Sequence, residues 1–259
     1  MIVIEAGHAP EDKPRVGAYP AAGTVTASSA AAGYAAANAA LETTVQFWRP
    51  TALPATWAVD FGGAERITYV GIAAHDLGSR GVTVALAVDV GAGWVTVASH
   101  TPTDDSPILF LIAPRMATKV RLSFSGGTIP TVGVIMAGDE VVFPQRAAYV
   151  GRKDFRDQII EEFSTNQSDG GNFLGRYVVR RRQQVGLEVK HMSETFKTLV
   201  LDGLIAHLTL HPGFVADRPV SAPRSLIYGY LAQKPVPERE IPNSAASIAV
   251  SMEFIGHVV

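Results

Sequence analysis

The chain has 259 residues, 47% of them hydrophobic, with a formal net charge of −2 and no cysteine. This length and composition point to one or two globular domains with ordinary cores, not to a disordered chain. The near-neutral charge leaves no global basic field for nucleic acid; the lack of cysteine excludes disulfides, thiolate metal sites and a cysteine nucleophile, and fits folding in a reducing cytoplasm.

The opening Met1-Ile2-Val3-Ile4-Glu5 has no basic region and no long apolar core, so no signal peptide is expected. No apolar run reaches the ~20 residues of a membrane-spanning helix, and no membrane partner is expected. The alanine-rich stretch from Ser28 to Leu41 reads as a surface loop with one helical turn.

From about Tyr19 to Pro144 short apolar runs alternate with turn residues. Val82, Val84, Leu86 and Val88 alternate with Thr83, Ala85, Ala87 and Asp89, the period of two of a half-buried strand. Gly91-Ala92-Gly93 turns the chain, and Trp94 to Val97 completes a hairpin. Pro107 to Ile112, Val120 to Phe124 and Thr131 to Met136 read as further strands. Many short strands at regular spacing indicate a β-sandwich or jelly roll.

Within this stretch Ala37-Asn38-Ala39, Phe47-Trp48-Arg49 and Trp57-Ala58-Val59-Asp60-Phe61-Gly62 occur in a fixed order. Ile67 to Ile72, the hairpin from Val84 to Trp94 and Val120-Arg121-Leu122 follow. Together, residues 30–143 resemble the discoidin (F5/8 type C) galactose-binding-like family. The resemblance implies a β-sandwich (jelly roll) over 1–144, preceded by an N-terminal arm, with sugar contact through loops at one end. The family's Ala-Leu-Asp-Gly turn reads here as Ala39-Ala40-Leu41-Glu42-Thr43, which lacks an aspartate that helps hold a structural calcium in relatives. Asn38, Glu42 and Glu140 still offer oxygens, of which calcium takes six to eight. The other reading is a solvated turn; no metal site and no cofactor is assigned.

A sugar site needs a flat aromatic face and polar groups that fix hydroxyls. The candidates are Trp48 and Arg49, at a Trp-Arg-Pro junction, and His75 and Asp76, where a strand enters the polar loop to Arg80. Trp48 and Trp57 also fit core positions, and His75-Asp76 also fits a hydrogen-bonded turn.

After Phe143-Pro144 the pattern changes. Residues 1–144 carry eight Lys+Arg against twelve Asp+Glu, and residues 145–259 carry fourteen against twelve, so the balance moves from −4 to +2. A second, β-rich domain with one helix is expected over 145–259. It opens at Arg152-Lys153-Asp154-Phe155. Phe155, Ile159 and Phe163 fit a helix face, while Ile159-Ile160 fits a strand equally well. Asn166 to Asn172 is a loop. A strand from about Leu174 to Met192 exceeds the usual five or six residues, so a bend or bulge is expected near Arg180-Arg181-Arg182. Ser193 caps a helix of about 194–210, in which Phe196, Leu199, Val200, Leu204 and Leu208 keep the 3.6-residue period, and His211-Pro212-Gly213 ends it. Leu226 to Leu231 and Ile248 to Phe254 are strands, and Ile241-Pro242-Asn243 belongs to the loop between them.

The order of a long strand pair, one helix and two closing strands over residues 147–259 resembles the tail-tube and distal-tail proteins of siphophages. The resemblance implies a structural component of a phage tail tip or baseplate. Its partners would be copies of itself in a homo-oligomeric ring, other tail proteins, and host-surface glycans met by the outward first domain. It would be made in the bacterial host cytoplasm and reside in the virion tail. Arg180, Arg181 and Arg182 are the candidate assembly residues, on solvated surface, in subunit salt bridges, or lining a lumen; nucleic acid is a partner only if that lumen faces DNA.

No enzyme is expected. His207 and His211 are four apart, as in a zinc helix, but no glutamate of a His-Glu-x-x-His motif accompanies them and Pro212 breaks the helix there. His257 and the other histidines form no motif, and neither a Gly-x-Ser-x-Gly elbow nor a Walker loop is present. The alternative function is a free carbohydrate-binding module, or an appendage of a polysaccharide-degrading enzyme; such a module needs no long strand pair and helix.

Overall fold

The structure, a computed structural model, describes residues 1–148, 154–240 and 247–256. Arg152, Lys153, the Ile241-Pro242-Asn243 loop and His257 lie outside these. The fold is mainly β, with one α/π-helical run and two short 3-10 helices, Ala36–Ala40 and Phe155–Asp157, among the described residues.

The first half is a largely antiparallel sandwich, the architecture that the discoidin resemblance implies, with one parallel pairing, of Ile2–Ile4 with Leu109 to Leu111. Its strands are β1 (Ile2–Ile4), β2 (Arg15–Pro20), β3 (Thr24–Ala27), β4 (Ala55–His75), β5 (Thr83–Asp89), β6 (Trp94–His100), β7 (Ile108–Ser125) and β8 (Val132–Val142). The β5–β6 hairpin expected from alternation is present. β4 is far longer than its sequence suggests. Register shifts between Asp60 and Glu65 and between Ile67 and Tyr69 divide it. Its first part pairs with β3 and its last part with β8, as bulges that bend a strand allow. Trp48, Trp57, Ile72, Leu86, Phe110 and Phe124 are among the buried side chains that fill the sandwich.

The second half contains β9 (Ile159–Gln167), β10 (Phe173–Met192), β11 (Gly213–Ala216), β12 (Leu226–Leu231), β13 (Glu238–Arg239) and β14 (Ile248–Gly256). Of the two readings of Ile159-Ile160, strand is the one that forms. In β10 the irregularity expected near the arginines falls between Val178 and Arg180. The helical run comprises α1 (Glu194–Phe196), a π-helical stretch (Lys197–Leu201) and α2 (Asp202–Leu208). Ser193 caps it as expected, its side chain accepting the Phe196 N–H at 3.1 Å. Leu201, Leu204, Ile205 and Leu208 pack on Val185, Leu187 and Val189 of β10 and on Ile248, Val250, Met252 and Phe254 of β14.

The two halves share one hydrogen-bonded sheet. β2 pairs with β8 of the sandwich on one side and β11 of the second half on the other. Val16 and Ala18 of β2 therefore belong to the second core. A third apolar cluster closes the junction: Tyr69, Leu109, Leu111 and Met136 from the sandwich meet Phe214, Leu226 and Tyr228. Gly71 faces Phe214 so closely that a Cβ there would lie 2.3 Å from the ring.

Phe214 is fully buried and Phe173, in the second half's outer hairpin, is 67% exposed. Phe214→Ala is expected to cost about 3–5 kcal/mol of unfolding free energy, as for other buried Phe→Ala changes, and Phe173→Ala within about 0.5 kcal/mol of nothing, as for surface positions. Urea titration at a concentration low enough to keep the chain monomeric checks both.

Candidate functional site

The structure brings the four sugar-contact candidates to one end of the sandwich. Val132 pairs with His75 on one side and with Trp48 on the other, so Arg49 and Asp76 flank Thr131. Only one of the four is free to meet a ligand. Trp48 is fully buried; its ring packs on Phe124 at 5.3 Å and its Nε1 donates to the Ser29 carbonyl at 2.9 Å. It is a core aromatic with a satisfied N–H, not a stacking platform. His75 is 3% exposed, and its Nδ1 accepts the Leu77 N–H at 3.3 Å. Burial pushes its pKa down to about 4, so the ring is neutral at pH 7. Asp76 organises its own turn: Oδ1 accepts the Thr131 N–H at 2.6 Å and Oδ2 the Arg80 Nε at 3.0 Å.

Arg49 differs. It is half-buried, and its backbone bonds to Ala31 and Tyr34. Among the described residues no hydrogen bond or ion pair holds its guanidinium. Of the three tryptophans only Trp94 has appreciable exposure, and the Arg121 guanidinium lies over its ring at 4.3 Å, a cation–π contact that covers the face a sugar would use. Sequence reading passed over Trp94 because it sits inside a regular hairpin strand.

The oxygens offered for calcium do not converge. Asn38 donates its amide to the Phe47 carbonyl at 3.0 Å, Glu42 accepts from His211 Nδ1 at 2.8 Å, and Glu140 accepts from Arg15 Nη1 at 2.7 Å. Among the described residues no group of three or more His, Asp or Glu is placed to hold a metal. The His207–His211 pair is stacked, with ring centroids 4.7 Å apart, and Tyr19 lies against His207 at 4.6 Å.

Two clefts lie where the halves meet. One, of about 850 Å³, is lined by Met1, Ser79, Asp104, Asp105, Gln183 and Arg224 among others. Its adjacent carboxylates hold loops in place: Asp105 accepts the Ser79 N–H at 2.9 Å and Asp104 the Ser106 N–H at 3.0 Å. The other, of about 550 Å³, lies between the sandwich loop Glu42 to Val45 and a wall made by Arg180, Arg182, Pro212, Tyr228 and Tyr230.

The most exposed apolar feature is the hairpin of β9 and β10. β14 pairs with β10 only from Gln183 onward, and among the described residues β9 pairs with β10 alone. Residues 159–181 thus form a two-stranded arm. Ile159, Ile160, Phe163, Phe173, Leu174, Tyr177, Val178 and Val179 are all exposed on it. Arg181 Nε pairs with Glu161 at 2.8 Å, and Arg180 Nε lies 4.0 Å from Glu162. The Arg176 guanidinium lies over Phe163 at 3.6 Å. Two of the three arginines of the block therefore find carboxylates within their own hairpin. Arg182, half-buried, has no such partner among the described residues.

No protein-family model matches the chain, and no curated protein matches it. Solved structures align with part of it. Chitosan-binding module 1 of a chitosanase/glucanase from Paenibacillus sp. IK-5 is 20% identical, with 45% of this chain and 95% of that one covered and a TM-score of 0.40. The family 32 carbohydrate-binding module of C. perfringens NanJ, in complex with galactose, is 14% identical, with 49% and 99% covered and a TM-score of 0.43. A pectin-binding module is 16% identical, with 45% and 89% covered and a TM-score of 0.39. Likeness at this level says nothing of a ligand.

His75 sets a pH dependence. Its folded pKa lies below its unfolded value of 6.5, so the unfolded chain binds the extra proton as pH falls. The stability it supports is present above pH 6.5 and is lost as pH drops toward about 4, by roughly 3 kcal/mol in all. Denaturant titrations from pH 7 to 4 are expected to show this loss, and His75→Gln is expected to remove most of His75's share of the slope.

Proposed function

We propose that the chain is a structural subunit that assembles with copies of itself into a ring, at a bacteriophage tail tip or baseplate beside other tail proteins. Its sandwich faces outward, toward host-surface glycans. The observation that carries this reading is the arm. A two-stranded hairpin alone is marginal in water, and this one exposes eight large apolar side chains. At ~200 Å² per large side chain and the exposures seen, their apolar surface is on the order of 800 Å², the contribution of one partner to a standard protein interface. The open edge of β9 adds unpaired backbone groups that invite another strand. A free carbohydrate-binding module, or an appendage of a polysaccharide-degrading enzyme, has no use for such an arm. Pairing of Arg180 and Arg181 with glutamates leaves little net charge there for DNA, so a protein neighbour is favoured over nucleic acid.

Glycan contact rests on Arg49, the one unpartnered polar group of the candidate set, with Tyr34 beside it in the chain's backbone pairing. An arginine presents a planar fork of donors to ring hydroxyls or carboxylates.

Mass photometry tests the assembly. The purified protein is expected to form a discrete oligomer, and replacement of Phe173, Leu174, Tyr177 and Val179 together by Ser is expected to leave a folded monomer. A wild-type chain that stays monomeric and also fails to join other virion proteins contradicts the reading. On a glycan array, Arg49→Ala is expected to lower any signal at least tenfold, while the arm variant, compared at equal valency, keeps it.

A further inference from the structure

The arm and the 550 Å³ groove complement each other. The groove has the size of pockets that hold a small ligand or a few side chains. Its walls are largely apolar, from Val45, Pro212, Tyr228 and Tyr230, and Arg180 and Arg182 stand on one side. Residues two apart on a strand share a face, so both guanidinium groups belong to the same face of β10. Glu42, on the opposite wall, is already engaged by His211, and Arg182 has no acid partner among the described residues. The groove is thus an apolar slot whose positive side is only partly compensated: Arg180 lies 4.0 Å from Glu162, and Arg182 stands without an acid partner among the described residues.

The arm's tip has the opposite character. Between Phe163 and Arg176 the only ionised side chain is Asp169. It is exposed and has no partner among the described residues. Phe173 and Leu174, 67% and 65% exposed, stand beside it. The tip cannot reach the groove of its own chain. About seven residues of paired strand, from Phe173 to Arg180, separate the tip from the groove, roughly 23 Å at 3.3 Å per residue, and the groove lies at the arm's base.

We propose that the arm tip of one copy seats in this groove of the next, with Phe173 and Leu174 on the apolar wall and Asp169 against Arg180 and Arg182. This rests on the self-assembly proposed above and assigns its contact. Tip and groove are different surfaces, so the contact is head-to-tail, which closes into a ring when the rotation allows it. The seat includes sandwich residues (Val45 and its loop) as well as second-half residues, so each contact would also fix where the sandwich points.

The test uses charge reversal in the full chain. Asp169→Arg alone puts an arginine tip against an arginine groove. Arg180→Asp with Arg182→Asp puts an aspartate tip against an aspartate groove. Each is expected to raise the concentration at half-assembly at least tenfold, read by analytical ultracentrifugation, with folding checked by circular dichroism. An equimolar mixture is expected to recover assembly, because every contact in an alternating ring then joins opposite charges. The cysteine-free background supplies a second readout. Copies with Gly170→Cys mixed with copies with Thr44→Cys are expected to give an intermolecular disulfide that neither gives with wild type. A wild type that assembles, with neither charge sensitivity nor the cross-link, overturns the seat and leaves self-assembly standing. A wild type that never assembles overturns both.

Discussion

The rest of the structure depends on the insertion of β2 between β8 and β11. Val16 pairs with Val141 on one edge and Val215 on the other, so a short strand near the start of the chain turns two β-rich halves into one sheet. Side chains enforce the fit. Gly17 carries no Cβ where one would lie 2.5 Å from the Tyr69 ring. Arg15 is buried against Glu140, itself 9% exposed on its side chain. Burial holds the Glu140 pKa up, near 7, against the pull of Arg15. Desolvating such a pair consumes most of its Coulomb attraction, so its contribution is to orientation and register more than to net stability.

A rigid junction gives the surface features fixed relative positions. The loop from Glu42 to Val45 belongs to the sandwich and Arg180 belongs to the arm, yet they line one groove because β2 and the Phe214–Tyr228 cluster hold the halves together. Tyr228 reinforces this by donating its hydroxyl to the Glu42 carbonyl at 2.8 Å. The arm is free for a different reason. β14 ends its pairing with β10 at Gln183, and no helix or loop of the described residues covers the strands beyond. Flat apolar edges left open in this way are otherwise an aggregation hazard that proteins suppress.

Local periodicity made part of this legible in the sequence. The β5–β6 hairpin, the Ser193 cap, the alternation of Ile248, Val250, Met252 and Phe254, and the length of β10 all follow from near-neighbour pattern. What escaped depends on contacts distant in the chain. Nothing local says that Val16 pairs with Val215, or that β4 continues through two register shifts for 21 residues. The arm shows the same limit from the other side. Tyr177 and Val179 share one parity of β10, as a half-buried strand requires, but no second layer lies over them. In the candidate site, Trp48 and Arg49 are neighbours in sequence, and alternation sends the tryptophan into the core and leaves the arginine at the surface. Residue type alone could not assign those two fates.

The central claim is that the arm is an interface. Amide hydrogen exchange followed by mass spectrometry, at concentrations above and below assembly, addresses it directly. The expected result is strong protection of peptides within 159–181 that appears only in the assembled protein, with the sandwich core equally protected in both. Fast exchange of those peptides in an assembled sample would contradict the account, because the arm would then still be solvated while the copies are held together by another surface.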